Sequence, residues 1–572
     1  VSEGNNEVTG SPGAGGIEPV QGLDRRAFLK RTLLGLTGVA TAAAGTVGGE
    51  AAAATRRPAK ARRPGARPAV APTVLASGVT APVATWLIAE NAKPGTIDWV
   101  VTGIQTPHVL EGYASAVSAV PGDELNLFVN TSATSFHVEA YRMGYYQGLG
   151  GRLIARTEEV GGQRQAPSVL LGGAISTVSC PWEPSVALRI DKSWPPGMYL
   201  LKLVGDAGQQ QYVPLCVRDD ASTAAYVLQN SVTTWQAYNL WGGYSLYYGM
   251  KPGGGQDFAH RARAVSFDRP YPQTWAQGSA DFFGNEFPVL YQMESLGLDM
   301  TYWTDVDLHA NPTLLANHQC LISLGHDEYW SNEMRTSAAK ALNSGVNLAF
   351  LGANACYRQI RMQPTSVGPN RLEVCYKSAA EDPMATQQPS LTTVNWEQPP
   401  VSRPESTLIG SMYQSVGANA NMTVTDAAAW FWDGCNLVDG QQLPLVVQGE
   451  YDRYVPSMPG PTNTDVFAHS PIPGQANWSD LTYYTTAGGG GAIAAGSASF
   501  VNKLSNTTAF PWNIVPRAIP ALTPILLRAM ENVYGTFGNG PAGASHAATG
   551  NWRTVYQGAA AAAGSAPGTA AA

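Results

Sequence analysis

The chain has 572 residues, 44% of them hydrophobic and 13% charged, enough to build more than one apolar core, since single cores stop growing near ~250–300 residues. Its formal net charge of −7, from 35 basic and 42 acidic side chains, gives no electrostatic reason to expect a nucleic-acid partner. The six cysteines include no CxxC pair, which argues against a zinc or iron–sulfur knuckle.

Taken in order, Asp24-Arg25-Arg26-Ala27-Phe28-Leu29-Lys30 precedes an apolar run and a small-residue stretch at 51–54, the pattern of a twin-arginine export signal. The run over 32–47 is shorter than the ~20 residues that span a bilayer and is rich in Gly and Ala, so export by the Tat pathway to the cell envelope or exterior is read in preference to a membrane anchor. Because that route carries folded proteins, often with a cofactor loaded, a metal site is sought. Residues 1–54 are thus assigned to the signal, and the Arg-, Pro- and Ala-rich stretch that follows to a disordered linker, 55–84.

Over 85–219 the pattern has period two. Leu125, Leu127 and Val129 alternate with Asn126 and Asn130, and Val213, Leu215 and Val217 close the segment. Turn signals at Pro121-Gly122-Asp123 and Pro195-Pro196-Gly197 separate the runs, so an immunoglobulin-like β-sandwich is expected. The aromatic run Tyr141 to Gly148 is read as a strand end packing against the second domain.

From 220 to 537 the rhythm becomes strand, helix, strand. Strands are predicted at 225–228, 300–303, 320–324, 346–351 and 492–495, and helices at 282–296, 331–342 (Ser331 as N-cap) and 522–537. That alternation implies a parallel sheet covered on both faces, with a β-rich insertion at about 362–484. The Gly-, Ala- and Ser-rich stretch 538–572 reads as a disordered low-complexity tail, and Cys356 and Cys375 are close enough for a disulfide in an oxidising compartment.

The chemistry is placed at Gly325-His326-Asp327-Glu328, at the carboxyl end of a buried strand, where open α/β sheets bind ligands. A nucleophile elbow has this layout, yet His-Asp-Glu stands where Ser or Cys between glycines is needed, so a serine or cysteine hydrolase is disfavoured. The loop after the first strand crowds Tyr238, Tyr244, Tyr247 and Tyr248. Phenol and carboxylate oxygens are hard donors, and a phenol that titrates near pH ~10 is held as phenolate at neutral pH only by a strongly Lewis-acidic ion such as ferric iron. An aromatic platform for a sugar or peptide, or simple packing, stands beside that reading.

The runs Thr234-Trp235-Gln236-Ala237-Tyr238, Val265-Ser266-Phe267-Asp268-Arg269-Pro270-Tyr271, Tyr302-Trp303-Thr304-Asp305-Val306-Asp307-Leu308 and Gly325-His326-Asp327-Glu328-Tyr329-Trp330-Ser331 resemble the carboxyl-terminal domain of the large (β) subunit of N,N-dimethylformamidase, over about 225–537. The resemblance implies a class I glutamine-amidotransferase-like (flavodoxin-like) three-layer α/β domain with one mononuclear Fe(3+) held by two tyrosines and a glutamate. It assigns Tyr238, Tyr247 and Glu328 as ligands, with Tyr244 and Tyr248 open as alternatives to Tyr247, and puts His326 and Glu450 beside the metal as proton-transfer groups. The implied activity is metal-assisted hydrolysis of a carbon–nitrogen amide bond in a small-molecule or cell-envelope substrate. The export signal and the fused sandwich depart from the formamidase, which is a cytoplasmic assembly with a small second subunit. The rival reading is a non-enzymatic surface or glycan-binding protein on the same fold.

Overall fold

The computed structural model describes residues 72–172, 175–506 and 515–564, so the export signal at 1–54 and the linker as far as residue 71 lie outside the described residues. Residues 72–84, expected to be disordered, are ordered. Pro72–Val74 pairs antiparallel with Thr80–Pro82, Ala81 is fully buried, and Asn539 Nδ2 donates to the Thr80 carbonyl at 2.8 Å. The period-two region opens with a helix, Thr85–Asn91, before its first strand.

Two antiparallel sheets follow. Leu110–Ala114, Glu124–Thr131 and Val186–Arg189 form one; Gln210–Val217, Gly197–Gly205, Ser135–Met143 and Gly151–Arg156 form the other. The alternating Leu125, Leu127 and Val129 meet Leu201, Leu203, Val213 and Leu215 in a shared apolar core. The opposite face of the second sheet, with Met198, Leu200, Tyr212 and Cys216, is buried as well, in the core that also holds Phe283, Phe287 and Tyr302. The strand Gly197–Gly205, sandwiched this way, is buried at every position but Val204 rather than at alternate residues, because both faces are out of water.

The central sheet has seven strands in the order Met300–Thr304, Tyr226–Asn230, Cys320–Ser323, Asn347–Phe350, Gly491–Ala494, Trp478–Thr485, Asp465–Pro471. The first five are parallel and the last two antiparallel. The strands at 465–471 and 478–485 thus belong to the edge of the main sheet, and of the β-rich stretch it is the long hairpin Met412–Thr423 with Gln442–Arg453 that stands apart. The helix predicted at 282–296 is broken in two, Phe282–Asn285 and Phe287–Ser295. At the break the Glu286 carboxylate turns in to accept from the Ser231 N–H at 3.0 Å and from the Asn230 amide. Asn332–Leu342 forms as predicted, with Ser331 Oγ accepting the Met334 N–H at 3.2 Å. A short strand, Tyr329–Ser331, intervenes between the His326 turn and that helix. It joins Arg358–Gln363, Leu372–Val374 and Ala264–Ser266 in a four-stranded sheet that the sequence reading did not anticipate.

The expected tail is structured as far as it is described. Asp465 accepts the main-chain N–H groups of Thr549, Gly550 and Asn551 at 3.0, 2.8 and 3.0 Å, and the helix Trp552–Gly564 follows, tied down by Tyr556 Oη at 2.7 Å from Asp480 Oδ2. All six cysteines are free and buried, Cys356 and Cys375 included, so the disulfide considered for that pair is not formed. Among the described residues no helix is long and apolar enough to cross a membrane. Mixed α/β with additional antiparallel β structure is therefore the fold class.

Candidate active site at the sheet's switch point

Strand order fixes where a ligand can sit. Tyr226–Asn230 lies between Met300–Thr304 and Cys320–Ser323, so the chain leaves the first and third strands of the sheet in opposite directions and opens a crevice at their carboxyl ends. Tyr226–Asn230 feeds the helix Val232–Tyr238, and Cys320–Ser323 feeds the turn at 325–328.

That turn requires glycine. Gly325 has φ +52°, and a Cβ there would meet Asn285 Cβ and O at 2.5 Å; a Cβ on Gly352 would meet the Gly325 carbonyl at 1.6 Å. Two backbones packed this closely set the direction of the next residues. Asp327 points inward, where its carboxylate accepts from Ser323 Oγ at 2.8 Å and Gln229 Nε2 at 3.1 Å; burial pushes its pKa up to about 6. His326 and Glu328, on either side of it, meet Glu450 and the tyrosine loop.

Glu328 is 1% exposed and gathers the phenols. Tyr238 Oη donates to its Oε2 at 2.9 Å, Tyr247 Oη lies 2.9 Å from both carboxylate oxygens, and the two hydroxyls are 2.8 Å apart. The Tyr238 and Tyr247 rings stack at 4.4 Å. Tyr247 arrives by a tight return of the loop, in which the Leu246 N–H donates to the Ala237 carbonyl at 2.9 Å and Ser245 Oγ accepts the N–H groups of Tyr247 and Tyr248, each at 3.1 Å. The hydroxyl this loop sends to Glu328 is therefore that of Tyr247, while Tyr244 packs against the apolar clusters around the loop. Burial, and then the Glu328 carboxylate, hold both phenols well above their ordinary range.

His326 Nε2 lies 2.9 Å from Glu450 Oε2 and 3.5 Å from Glu328 Oε2. Burial alone would lower the imidazole's pKa, but Glu450, with Glu328 and Asp281, outweighs it and lifts the group to about 10. Glu450 comes from the hairpin strand Gln442–Arg453; burial opposes its charge, yet His326 holds its pKa below the ordinary value. The five residues singled out from the sequence are thus brought into one cluster.

Four further residues join them without having been foreseen. Asn354 Nδ2 donates to Glu450 Oε2 at 3.1 Å, Arg358 Nε faces Glu328 Oε1 at 3.4 Å, Tyr329 Oη donates to Tyr247 Oη at 2.7 Å, and Lys377 Nζ sits 3.2 Å from the centroid of the Tyr247 ring. Asn354 follows a sheet strand at the same carboxyl edge, a signal that could have found it. Arg358 and Lys377 arrive through the unanticipated four-stranded sheet, which no spacing in the sequence marks.

Among the described residues, no three His, Cys, Asp or Glu side chains gather as a metal-holding set. The donor set at Glu328 is instead two phenols and a carboxylate, suited to a small hard cation. The three groups meet through hydrogen bonds of 2.8–2.9 Å.

The family described as N,N-dimethylformamidase beta subunit-like, C-terminal, matches residues 137–510, well over half of the chain. The chain belongs to this family. The family region begins inside the strand Ser135–Met143, so it takes in most of the second antiparallel sheet, and it stops before the helix Thr523–Gly538; the span expected from the sequence, about 225–537, is displaced at both ends. No curated protein matches the chain. Among solved structures, a Paenibacillus sp. cycloisomaltooligosaccharide glucanotransferase complexed with cycloisomaltoheptaose aligns at 6% identity over 68% of each chain, with a TM-score of 0.15, a likeness that carries no argument.

Proposed function

We propose that the protein is an exported amide hydrolase of the dimethylformamidase-like family, working through one ferric ion held by Tyr238, Tyr247 and Glu328. The observation that carries this reading is the convergence of those three oxygens at the switch point of the sheet. In the same reading the paired antiparallel sheets are an immunoglobulin-like sandwich and the parallel sheet is a class I glutamine-amidotransferase-like core, in line with the strand order 2-1-3-4 from the edge strand Met300–Thr304 inward.

When bound, ferric iron supplies Lewis-acid polarisation of an amide carbonyl and lowers the pKa of a bound water. The chain's own residues do the rest. His326 and Glu450, in contact at 2.9 Å, are the proton-transfer pair. They take up a proton as water adds to the carbonyl carbon and deliver one to the amine nitrogen as the C–N bond breaks, leaving a carboxylic acid and an amine. Asn354 fixes the Glu450 carboxylate, and Arg358 limits the rotation of Glu328.

Natively exported protein is expected to contain one iron per chain and to show a visible tyrosinate charge-transfer band. Tyr238→Phe and Glu328→Gln are each expected to weaken iron binding by more than the roughly 10–100-fold that outer partners contribute, and to abolish hydrolysis in a screen of small amides. Iron retained in both variants rules the assignment out, and a colourless, metal-free wild type favours a binding protein.

A further inference from the structure

The Ser-Phe-Asp-Arg-Pro run at 266–270 has no part in the chemistry above, yet it is fastened to the loop that carries both tyrosines. Arg269 is 2% exposed and lacks an ion-paired carboxylate among the described residues. Its guanidinium donates instead to three main-chain carbonyls: Trp241 at 2.9 Å, Tyr244 at 2.7 Å and Asn239 at 3.0 Å. All three lie between Tyr238 and Tyr247. A guanidinium buried without a hydrogen-bonded counter-charge is costly, Glu373 acting on it only at longer range, so such a group is not explained by filling space. Its planar fork matches carbonyls that diverge from one another, as a point-like ammonium cannot.

The neighbouring bonds run the same way. Asn239 Nδ2 donates to the Pro270 carbonyl at 2.9 Å, Asn239 Oδ1 accepts the Trp241 N–H at 2.9 Å, and Gln236 Nε2 donates to the Ser266 carbonyl. The run is in turn anchored on the antiparallel sheets. Arg371 Nε pairs with Asp268 Oδ1 at 2.9 Å while its Nη2 donates to the Ala114 and Phe267 carbonyls, each at 2.8 Å. Trp241 Nε1 closes the circuit on Glu111 Oε2 at 2.7 Å.

We propose that Arg269 is the positioning residue of the tyrosine pair: by fixing the carbonyls of Asn239, Trp241 and Tyr244 it sets the loop return that brings the Tyr247 hydroxyl against Tyr238 and Glu328. The proposal rests on the reading of Tyr238 and Tyr247 as metal ligands, and it gives the sandwich a part in that site.

Arg269→Lys keeps a charge and loses the fork. It is expected to retain the wild-type circular dichroism spectrum, to bind iron roughly 10–100-fold more weakly, and to shift or weaken the charge-transfer band. In its crystal structure the contacts between Tyr247 Oη and Glu328 are expected to open beyond hydrogen-bond distance. Wild-type iron affinity with those contacts intact overturns the proposal. Should Arg269→Lys fail to fold, Arg269→Gln keeps a planar amide donor but cannot span the three carbonyls; the same opening is expected there, and its absence overturns the proposal equally. If the wild type holds no iron, the metal reading falls on that result alone, and the Tyr247–Glu328 contacts in the two variants still decide the positioning role.

Discussion

Glu405 is 1% exposed, with Oε1 accepting the Tyr413 N–H at 3.3 Å and Oε2 left without a hydrogen-bond partner. Burial, reinforced by Glu397 and Asp452, pushes its pKa from the ordinary 4.5 up to about 8. Glu450, also deeply placed, goes the other way because His326 faces it. An unpaired buried carboxylate becomes a neutral acid, whereas a paired one stays charged. The folded state therefore holds a proton on Glu405 that the unfolded chain has released, so stability falls as pH rises from about 4.5 to about 8 and the loss is complete above that. Glu405→Gln removes the loss. The variant is expected to match the wild type near pH 4 and to exceed it by an amount that grows through the window, reaching on the order of 5 kcal/mol above pH 8. Denaturation midpoints at several pH values check this, and parallel pH profiles for the two proteins contradict it.

At the level of elements, the turn under His326 depends on two glycines from consecutive sheet strands meeting backbone to backbone. Gly352→Ala puts a methyl into the Gly325 carbonyl, a contact of 1.6 Å that only a shift of main chain can relieve. We expect about 1–3 kcal/mol of destabilisation together with loss of iron, because the displaced turn carries both His326 and Glu328. A variant that is destabilised but binds iron with wild-type affinity would show that the turn moves independently of Gly352. Much of this architecture was legible in the sequence. Strands buried on both faces read as short apolar runs, and their carboxyl ends pointed to Glu328 and Tyr238. Ser331 was legible as a cap because a local hydrogen bond needs only local sequence. Tyr247 could not be separated from Tyr244 and Tyr248, since the choice is made by the Ser245 and Ala237 bonds that turn the loop back. Arg358 and Lys377 were invisible because a second sheet brings them in from distant positions. The stretch 538–572 looked disordered by composition, yet the order of its described part comes from Asp465 and Asp480, far away in the chain.

On the scale of the whole molecule, the antiparallel sheets and the α/β core are joined by charge as well as by apolar contact. Arg142, on the strand Ser135–Met143, is fully buried and reaches Glu294 on the helix Phe287–Ser295 through both nitrogens of its fork, at 2.7 and 3.0 Å. Tyr302 of the central sheet and Asn91 of the first helix bind the same carboxylate, Asn91 at 2.8 Å. Four elements therefore share one ion pair, which bears out the reading of the aromatic run around Tyr141 as a strand end packed on the second half of the protein, and agrees with a family region that begins inside this sheet. A buried pair of this kind adds little over an apolar substitute, yet breaking it strands a charge. Arg142→Met is accordingly expected to lower stability by about 3–5 kcal/mol, because Glu294 is left fully buried without its counter-charge. Adding Glu294→Gln to that variant removes the stranded charge and keeps acceptors for Tyr302 and Asn91, so the double variant is expected to regain about half of the loss or more. Denaturant midpoints of the wild type, both singles and the double give the coupling directly. A double variant that loses the sum of the two single losses would mean that the pair is not coupled.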